Sequence, residues 1–183
     1  MMINTIARSE LEQRPERERA PRAIGQRVAL RNAARWTIAT SDDAGATIAR
    51  LAVALLLFPH GAQHALGWFG GYGFAGTHAW MTGTLGFPSP LAALAIVTEI
   101  LAPFALLVGL GGRLAALGVC GLMAGAISTH WSNGLFMNWF GQLPAGQEGF
   151  EYHLLVIALC AVVGVRGSGA FSVDRSLRRF TAG

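Results

Sequence analysis

The sequence contains no lysine: all 14 of its basic residues are arginine, and only 13% of its 183 residues are charged. Soluble domains average about 25% charged residues, so this low charge argues against a typical soluble protein. The absence of lysine, together with abundant alanine and glycine, indicates a GC-rich bacterial genome. The pI of about 10.0 raises the question of nucleic-acid binding. Membrane topology explains the arginines better, and we expect no nucleic-acid partner.

The sequence also lacks the motifs of several enzyme classes. Cys120 and Cys160 stand far apart and form no C-x-x-C pair, which argues against disulfide-generating chemistry and favours a packing role. Walker, dinucleotide-binding and serine-nucleophile motifs are missing, and the glycine-rich stretch 67–76 has no strand-turn-helix context. No secretory signal or transit peptide is recognisable, because the first 44 residues are polar and include four glutamates.

Long apolar runs take the place of these motifs. The mean hydropathy is +0.43, and a membrane span needs about 17–20 mostly apolar residues. Four runs are candidates, of which the last is short by itself: 48–69, 90–110, 113–131 and 150–165. The predicted fold is therefore all-α, an integral membrane four-helix bundle that runs up-down-up-down.

The arginines are distributed asymmetrically around these runs. Eight lie before residue 36, Arg113 lies between the second and third runs, and four follow the fourth, whereas loops 70–89 and 132–149 contain none. The positive-inside rule then places both termini in the cytoplasm of a bacterial cell and the protein in its inner membrane. We expect an arginine-rich tail over 1–44, disordered or interfacial, a membrane domain over 45–174 and a basic cytoplasmic C-terminus over 175–183.

Three local patterns refine this arrangement. Helical spacing in the first outer loop predicts a short interfacial helix that includes Phe74, His78, Met81 and Leu85. In the third run, Gly121 and Gly125 form a small-xxx-small pair, which predicts close packing of two helices. The second outer loop combines aromatic and amide side chains, and we expect it to fold as a lid over a pocket.

Ionisable residues concentrate in the predicted outer half of the bundle. His60 and His64 lie one helical turn apart in the first run, and Glu99 lies near the centre of the second. A charged residue inside a span costs about 2.5–3.5 kcal/mol or more, so its presence indicates a function. We predict an outward-opening pocket in which His60 and Glu99 form a direct or water-bridged pair. Pro59 and Pro103 are expected to kink or weaken the two helices beside it.

The candidate catalytic residues are His60, Glu99 and His130, because neighbours shift the pKa of imidazole and carboxyl groups readily. A candidate cofactor-binding set consists of His64, Trp131, Asn138, Glu148, Glu151 and His153. Three interpretations of the pocket stay open. It handles protons for a redox substrate; it fixes helix register as a structural hydrogen-bond network; or it holds a metal or haem through His60, His64, His130 and His153.

Six segments, taken together and in order, resemble a known family. They are "HGAQHALGWFGGYGFAGT", "VTEILAP", "GLGGRLAAL", "AISTHWSNGLFMNW", "GQEGFEYHLL" and "GSGAFSVD". From about residue 48 to 174 the chain resembles the DoxX family of small four-helix membrane proteins, which is associated with quinol-oxidase and thiosulfate:quinone oxidoreductase systems. The resemblance assigns motif positions to His60, 67–73, Glu99, Arg113, His130, Glu148 and Glu151. His64 departs from the family, since a lysine is expected there.

The predicted function is a membrane component of a redox system that handles quinone, quinol or a small sulfur or phenolic compound. Quinone is the candidate cofactor, with metal or haem as the alternative, and whether the chain is itself an oxidoreductase stays open. A second interpretation is a non-catalytic anchor or scaffold for soluble redox partners, and a third is a small-molecule transporter. The expected partners are the lipid bilayer, other subunits of a redox complex and further copies of the chain.

Overall fold

The structure, a computed structural model, describes residues 25–26, 28–29, 31–144 and 146–181. The chain divides into two units, Met1–Trp36 and Thr37–Gly183. In the first unit the described residues are helical. Most of the predicted tail lies outside the described residues. The prediction that the tail is disordered or interfacial therefore falls mostly on residues that the structure does not describe.

The described part of Thr37–Gly183 folds into helices joined by turns and loops. The helices are α1 (Ala44–Gly61), α2 (Gly73–Gly83), α3 (Ser89–Val108), α4 (Gly112–His130), α5 (Glu151–Arg166) and α6 (Val173–Thr181). A π-helical turn at Ala62–Leu66 continues α1, and 3-10 turns occupy Trp68–Gly70 and Trp131–Asn133. The prediction of an all-helical fold is confirmed, since no strand occurs among these residues. The helix predicted in the first outer loop is α2.

Three helical segments are long and apolar enough to cross a membrane. They are Ala44–Leu66, Ser89–Val108 and Gly112–Asn133, with mean hydropathies of 1.4, 2.4 and 1.4. They correspond to the first three predicted spans. Because α5 comprises only 16 residues, fewer than the about 20 of a usual span, the fourth span stays a prediction. The up-down-up-down bundle and the orientation of the termini also stay predictions.

The long helices pack in pairs around a small aliphatic core. α1 contacts α3 and α5, and α4 contacts the same two helices. The buried core between them includes Val53, Leu57, Leu106, Val119 and Val163. Many large apolar side chains on the outer faces are exposed, among them Leu55, Leu101, Leu114 and Leu117. Such faces suit helices surrounded by lipid, whose tails are as apolar as a leucine side chain.

A buried arginine joins the helix ends where α1 begins. Arg50 is 2% exposed, and its guanidinium donates to five backbone carbonyls at 2.6–3.3 Å. These carbonyls belong to Leu106 and Leu107 at the end of α3 and to Ser168, Ala170 and Phe171 after α5. Helix ends leave such carbonyls unpaired, and the C-terminal dipole of α3 favours a cation. Sequence spacing does not predict this role, because all five partners of the guanidinium are backbone carbonyls.

Asp174 supplies the complementary negative charge at the same end. Its carboxylate is 1% exposed and accepts hydrogen bonds from the backbone N–H groups of Gly111 and Gly112, at 2.8 and 3.1 Å, and from the Ser168 hydroxyl at 2.6 Å. It therefore caps the start of α4 from α6. The predicted boundary between the membrane domain and the C-terminal segment, after residue 174, falls inside α6. The described part of the C-terminal segment therefore continues a helix that begins in the membrane domain.

Gly61 marks a close crossing of α1 and α3. A Cβ atom on Gly61 would lie 2.3 Å from the carbonyl oxygen of Glu99 and 2.9 Å from Cα of Ile100. The Glu99 carbonyl has no intrahelical donor, because Pro103 lacks an N–H group four residues later.

The close packing predicted at Gly121 and Gly125 is wrong. Added Cβ atoms there meet no described heavy atom within 4 Å, and both glycines line a cavity.

We expect Gly61→Ala to destabilise the protein by about 1–3 kcal/mol, because its methyl group forces α1 away from the Glu99 carbonyl. Gly164→Ala is the matched control, since an added Cβ on this α5 residue meets no described atom within 4 Å. It should be neutral or stabilise by up to about 1 kcal/mol. Unfolding of both variants in detergent, followed by circular dichroism, measures the difference. Equal stability of the two variants would contradict the crossing.

We expect Arg50→Met to lower the free energy of unfolding by about 3–5 kcal/mol, because it removes five hydrogen bonds to backbone carbonyls and leaves the buried Asp174 charge uncompensated. Arg35→Met removes the same charge from an exposed helical position and should change stability by about 0.5 kcal/mol or less. The same unfolding measurement compares them. A similar loss in both variants would show that Arg50 acts only through the net charge.

Candidate functional site

A cavity of about 940 Å³ lies between the helices of Thr37–Gly183. This volume falls at the upper end of the about 300–1,000 Å³ of small-molecule sites. Its wall is mostly apolar. Helices α1 to α5 and the loop before α5 all contribute residues to it. The apolar lining includes Leu57, Trp80, Met81, Leu91, Met123 and Met137. An apolar wall of this kind favours a ligand with a large hydrophobic surface.

Six of the nine predicted site residues line this cavity: His60, His64, Glu99, His130, Glu148 and His153. Tyr152 joins them, and the sequence analysis did not single it out. The remaining three, Trp131, Asn138 and Glu151, are not lining residues. The sequence signal that found the six was simply the concentration of ionisable residues at one end of the apolar runs.

Glu99 pairs with His64 rather than with His60. Nδ1 of His64 lies 2.6 Å from Oε2 of Glu99, so the direct form of the predicted His60–Glu99 pair is wrong, and the water-bridged form stays a prediction. The ring of His60 instead lies beside Tyr152, with ring centroids 6.5 Å apart. Glu99 thus has the histidine partner that its position in a span demands, but the partner is one helical turn further along α1.

The direction of side chains on a helix explains this choice. Each Cα–Cβ bond tilts toward the N-terminus of its own helix. Glu99 lies level with Gly61, where the backbones touch, and its side chain leans toward the start of α3, which is the end of α1. The His64 side chain leans back along α1 toward the same level. His60 leans further away, so a depth estimate that ignores the tilt selects the wrong histidine.

A pair of imidazoles, those of His130 and His153, lies between α4 and α5. Nδ1 of His130 is 2.9 Å from the Ala126 carbonyl oxygen, so this nitrogen is assigned as the donor and Nε2 is left to accept. The His130 and His153 ring centroids are 5.2 Å apart. Nδ1 of His153 is buried and has no hydrogen-bond partner among the described residues. Because buried polar atoms are nearly always paired, this nitrogen indicates a place for a polar group of a ligand or for water.

The loop before α5 is folded back on itself. Backbone N–H groups of Gly149 and Phe150 donate to the carbonyls of Phe136 and Gly134 at 3.1 and 3.2 Å. The three predicted residues outside the cavity stabilise this loop: Glu151 accepts from the Trp139 indole at 3.1 Å, Asn138 bonds Leu143, and Trp131 stacks on Phe150. Met137 and Glu148 reach the cavity wall. The role of this loop as a lid stays a prediction.

The arrangement offers imidazoles in separate pairs rather than in one cluster. In the described part of the chain, no group of three or more His, Cys, Asp or Glu side chains is placed to hold a metal ion. His60, His64, His130 and His153 share a cavity wall without converging on one point. The metal or haem interpretation stays a prediction. The same wall is suited to hydrogen bonding and proton exchange, since each imidazole can donate or accept.

The comparison with known proteins agrees with the resemblance seen in the sequence. The DoxX family model matches residues 45–131, a range that contains His60, His64, Glu99 and His130. No curated protein and no solved structure matches the chain. The segments after residue 131, including those around Glu148 and Asp174, lie outside the match. Residues 45–131 of this membrane protein are therefore a DoxX domain.

Proposed function

We propose that this protein binds a small, largely apolar compound that exchanges protons as it is oxidised or reduced, and that it serves as the membrane component of a redox system. Quinone/quinol and phenolic compounds fit this description. The observation that carries the proposal is the His64–Glu99 pair, 2.6 Å apart, in the wall of an apolar cavity of about 940 Å³.

The distribution of polar groups supports a ring-shaped ligand with two oxygen atoms. One polar site is the His64–Glu99 pair of α1 and α3, and the other is the His130–His153 pair of α4 and α5. The apolar residues between them suit the face of a ring and its alkyl substituents. Each oxygen of a quinone or quinol would then meet an imidazole, and the unpaired Nδ1 of His153 would gain a partner.

The His64–Glu99 pair is suited to accept a proton from such a ligand. When Nδ1 of His64 donates to the Glu99 carboxylate, Nε2 is free to accept. The carboxylate orients the ring and stabilises the imidazolium that forms, as in other base–carboxylate pairs. Oxidation of a quinol releases two protons and two electrons, so the proposal includes an external electron acceptor, such as another subunit. The chain's own residues bind the ring, orient it and hold the proton.

We expect Glu99→Gln and His64→Ala to weaken binding of a short-chain quinol at least about tenfold, because each leaves a buried group without its charged partner. His78→Ala is the matched control: His78 does not line the cavity and contacts Ser89 instead. Titration of the detergent-purified protein with the quinol, followed by tryptophan fluorescence, measures the affinity. Binding that is unaffected by both Glu99→Gln and His64→Ala, or absent in the wild type, would contradict the proposal and favour a non-catalytic anchor.

The proposal also includes a fourth membrane span at α5, with both termini in the cytoplasm of a bacterial cell. At about 1.5 Å per residue, 16 residues cover about 24 Å, which is short of the about 30 Å hydrocarbon core. Local thinning of the bilayer or flanking residues can accommodate such a mismatch. Packing of α5 against α1 and α4 supports the span, as does the position of Arg166 at its end.

Cysteine labelling distinguishes three spans from four. In a chain with Cys120→Ala and Cys160→Ala, single cysteines replace Ser132, before α5, or Ser176, after it. Both serines are exposed. We expect a membrane-impermeant maleimide to label S132C in intact cells and S176C only after permeabilisation. T84C, separated from Ser132 by α3 and α4, should behave as S132C does. Labelling of S132C and S176C from the same side would exclude α5 as a span.

A further inference from the structure

A second, smaller cavity lies where α1 begins, at the opposite end of that helix from Glu99. It has a volume of about 250 Å³ and is lined by Thr40, Ser41, Asp42, Arg175, Arg178 and Arg179. Three arginines and one aspartate give this lining a formal charge of +2. A cationic lining favours an anionic oxygen ligand, and phosphate in particular.

The cavity lies at the boundary of a membrane-crossing segment. Thr40, Ser41 and Asp42 lie just before Asp43, the N-cap of the segment Ala44–Leu66. The arginines lie on α6, which the Arg50 and Asp174 hydrogen bonds attach to the ends of α3 and α4. This is the depth at which the polar headgroup region of a bilayer meets its hydrocarbon core. The phosphate groups nearest to this cavity are therefore those of lipids.

The arginines are held in different ways. Arg175 pairs with Asp42, and Arg178 donates to the Thr40 carbonyl, so the residues before α1 hold both side chains in place. Arg179 is exposed and makes no hydrogen bond or ion pair with any residue that the structure describes. A guanidinium has five donors in a planar fork that matches two phosphate oxygens. Arg179 thus brings to the cavity a fork that no described residue occupies.

An exposed aromatic side chain stands next to these arginines in the chain. Phe171 is 90% exposed, and its backbone φ of +50° lies in the left-handed region that bulky residues rarely adopt. Its carbonyl accepts a hydrogen bond from Arg50 at 2.8 Å, which holds the backbone in this conformation. On α6, Val173 and Leu177 lie four residues apart on one face and are each 39% exposed. Apolar side chains beside cations are typical of a surface that contacts lipid.

From these observations we propose that the cavity binds the phosphate of an anionic phospholipid, with Arg178 and Arg179 on the phosphate and Phe171 against the acyl chains. The site is separate from the His64–Glu99 cavity and does not depend on its ligand. It attaches α6 to the membrane surface at the end of the molecule that Arg50 organises. Each arginine near an anionic lipid surface contributes about 1 kcal/mol, or about fivefold in affinity.

Native mass spectrometry of the full-length chain tests the proposal. The detergent-purified protein is mixed with equal amounts of phosphatidylglycerol and phosphatidylcholine, and the retained lipids are counted. We expect the wild type to retain phosphatidylglycerol preferentially and R178Q/R179Q to lose this preference by about twentyfold or more. R166Q is the matched control, because Arg166 ends α5 at the same end of the bundle but does not line the cavity. It should retain most of the preference.

Three results would overturn the proposal: an unchanged preference in R178Q/R179Q, an equal loss in R166Q, or no preference in the wild type. The single variant R179Q controls for misfolding of the double variant, because Arg179 is exposed and its replacement should leave the fold intact. Inorganic phosphate forms a further arm. We expect inorganic phosphate not to displace the lipid. We expect F171A to weaken retention of the lipid. Displacement by phosphate together with normal retention in F171A would assign the cavity to free phosphate and exclude the lipid.

Discussion

The buried guanidinium of Arg50 is the interaction on which the arrangement of the helices depends. Its five hydrogen bonds connect α1 to the last turn of α3 and to the segment after α5, and Asp174 connects that segment to the start of α4. In a membrane, helices gain little from burying apolar surface against each other, so polar contacts and close packing decide their register. Eleven positions, about 16 Å of continuous helix, separate Arg50 from Gly61. A fixed position at one end therefore determines which residues of α1 and α3 meet at the other.

The close crossing of α1 and α3 at Gly61 depends on this register and determines where the candidate site forms. Backbone contact at Gly61 brings the side chains of Glu99 and His64 together because they lean toward each other from antiparallel helices. A larger residue at this point would separate the helices and lengthen the 2.6 Å contact. The π-helical turn at Ala62–Leu66 begins just beyond the crossing, and His64 lies within it. Such turns often occur at functional sites, and here one carries the histidine that pairs with the carboxylate.

Much of this could be predicted from the sequence, and the failures have physical causes. Apolar run length predicts three spans and a helical fold, and the segregation of ionisable residues predicts the set that shares the cavity, from His60 to His153. Both signals depend only on composition and position along a helix. The partner of Glu99 depends on side-chain tilt at a crossing, which spacing does not encode. The roles of Arg50 and Asp174 depend on backbone groups of residues 56 or more positions away, and backbone carbonyls and amides have no signature in a sequence. Likewise, Gly61 and Gly121 look equivalent until their neighbours are known.

The two groups of buried polar residues differ in how completely they are satisfied, and this difference separates structure from binding. At the α1 start, Arg50 uses its donors on five carbonyls and Asp174 accepts three hydrogen bonds. Such a network has little capacity left for a ligand, and its value lies in holding helix ends together. In the large cavity, Nδ1 of His153 has no partner among the described residues, and Nε2 of His130 is left to accept. A network that only fixed helix register would pair Nδ1 of His153, because an unpaired buried polar atom costs about 1–3 kcal/mol. That cost is more readily explained by a ligand that fills the apolar space and completes the hydrogen bonds when it binds.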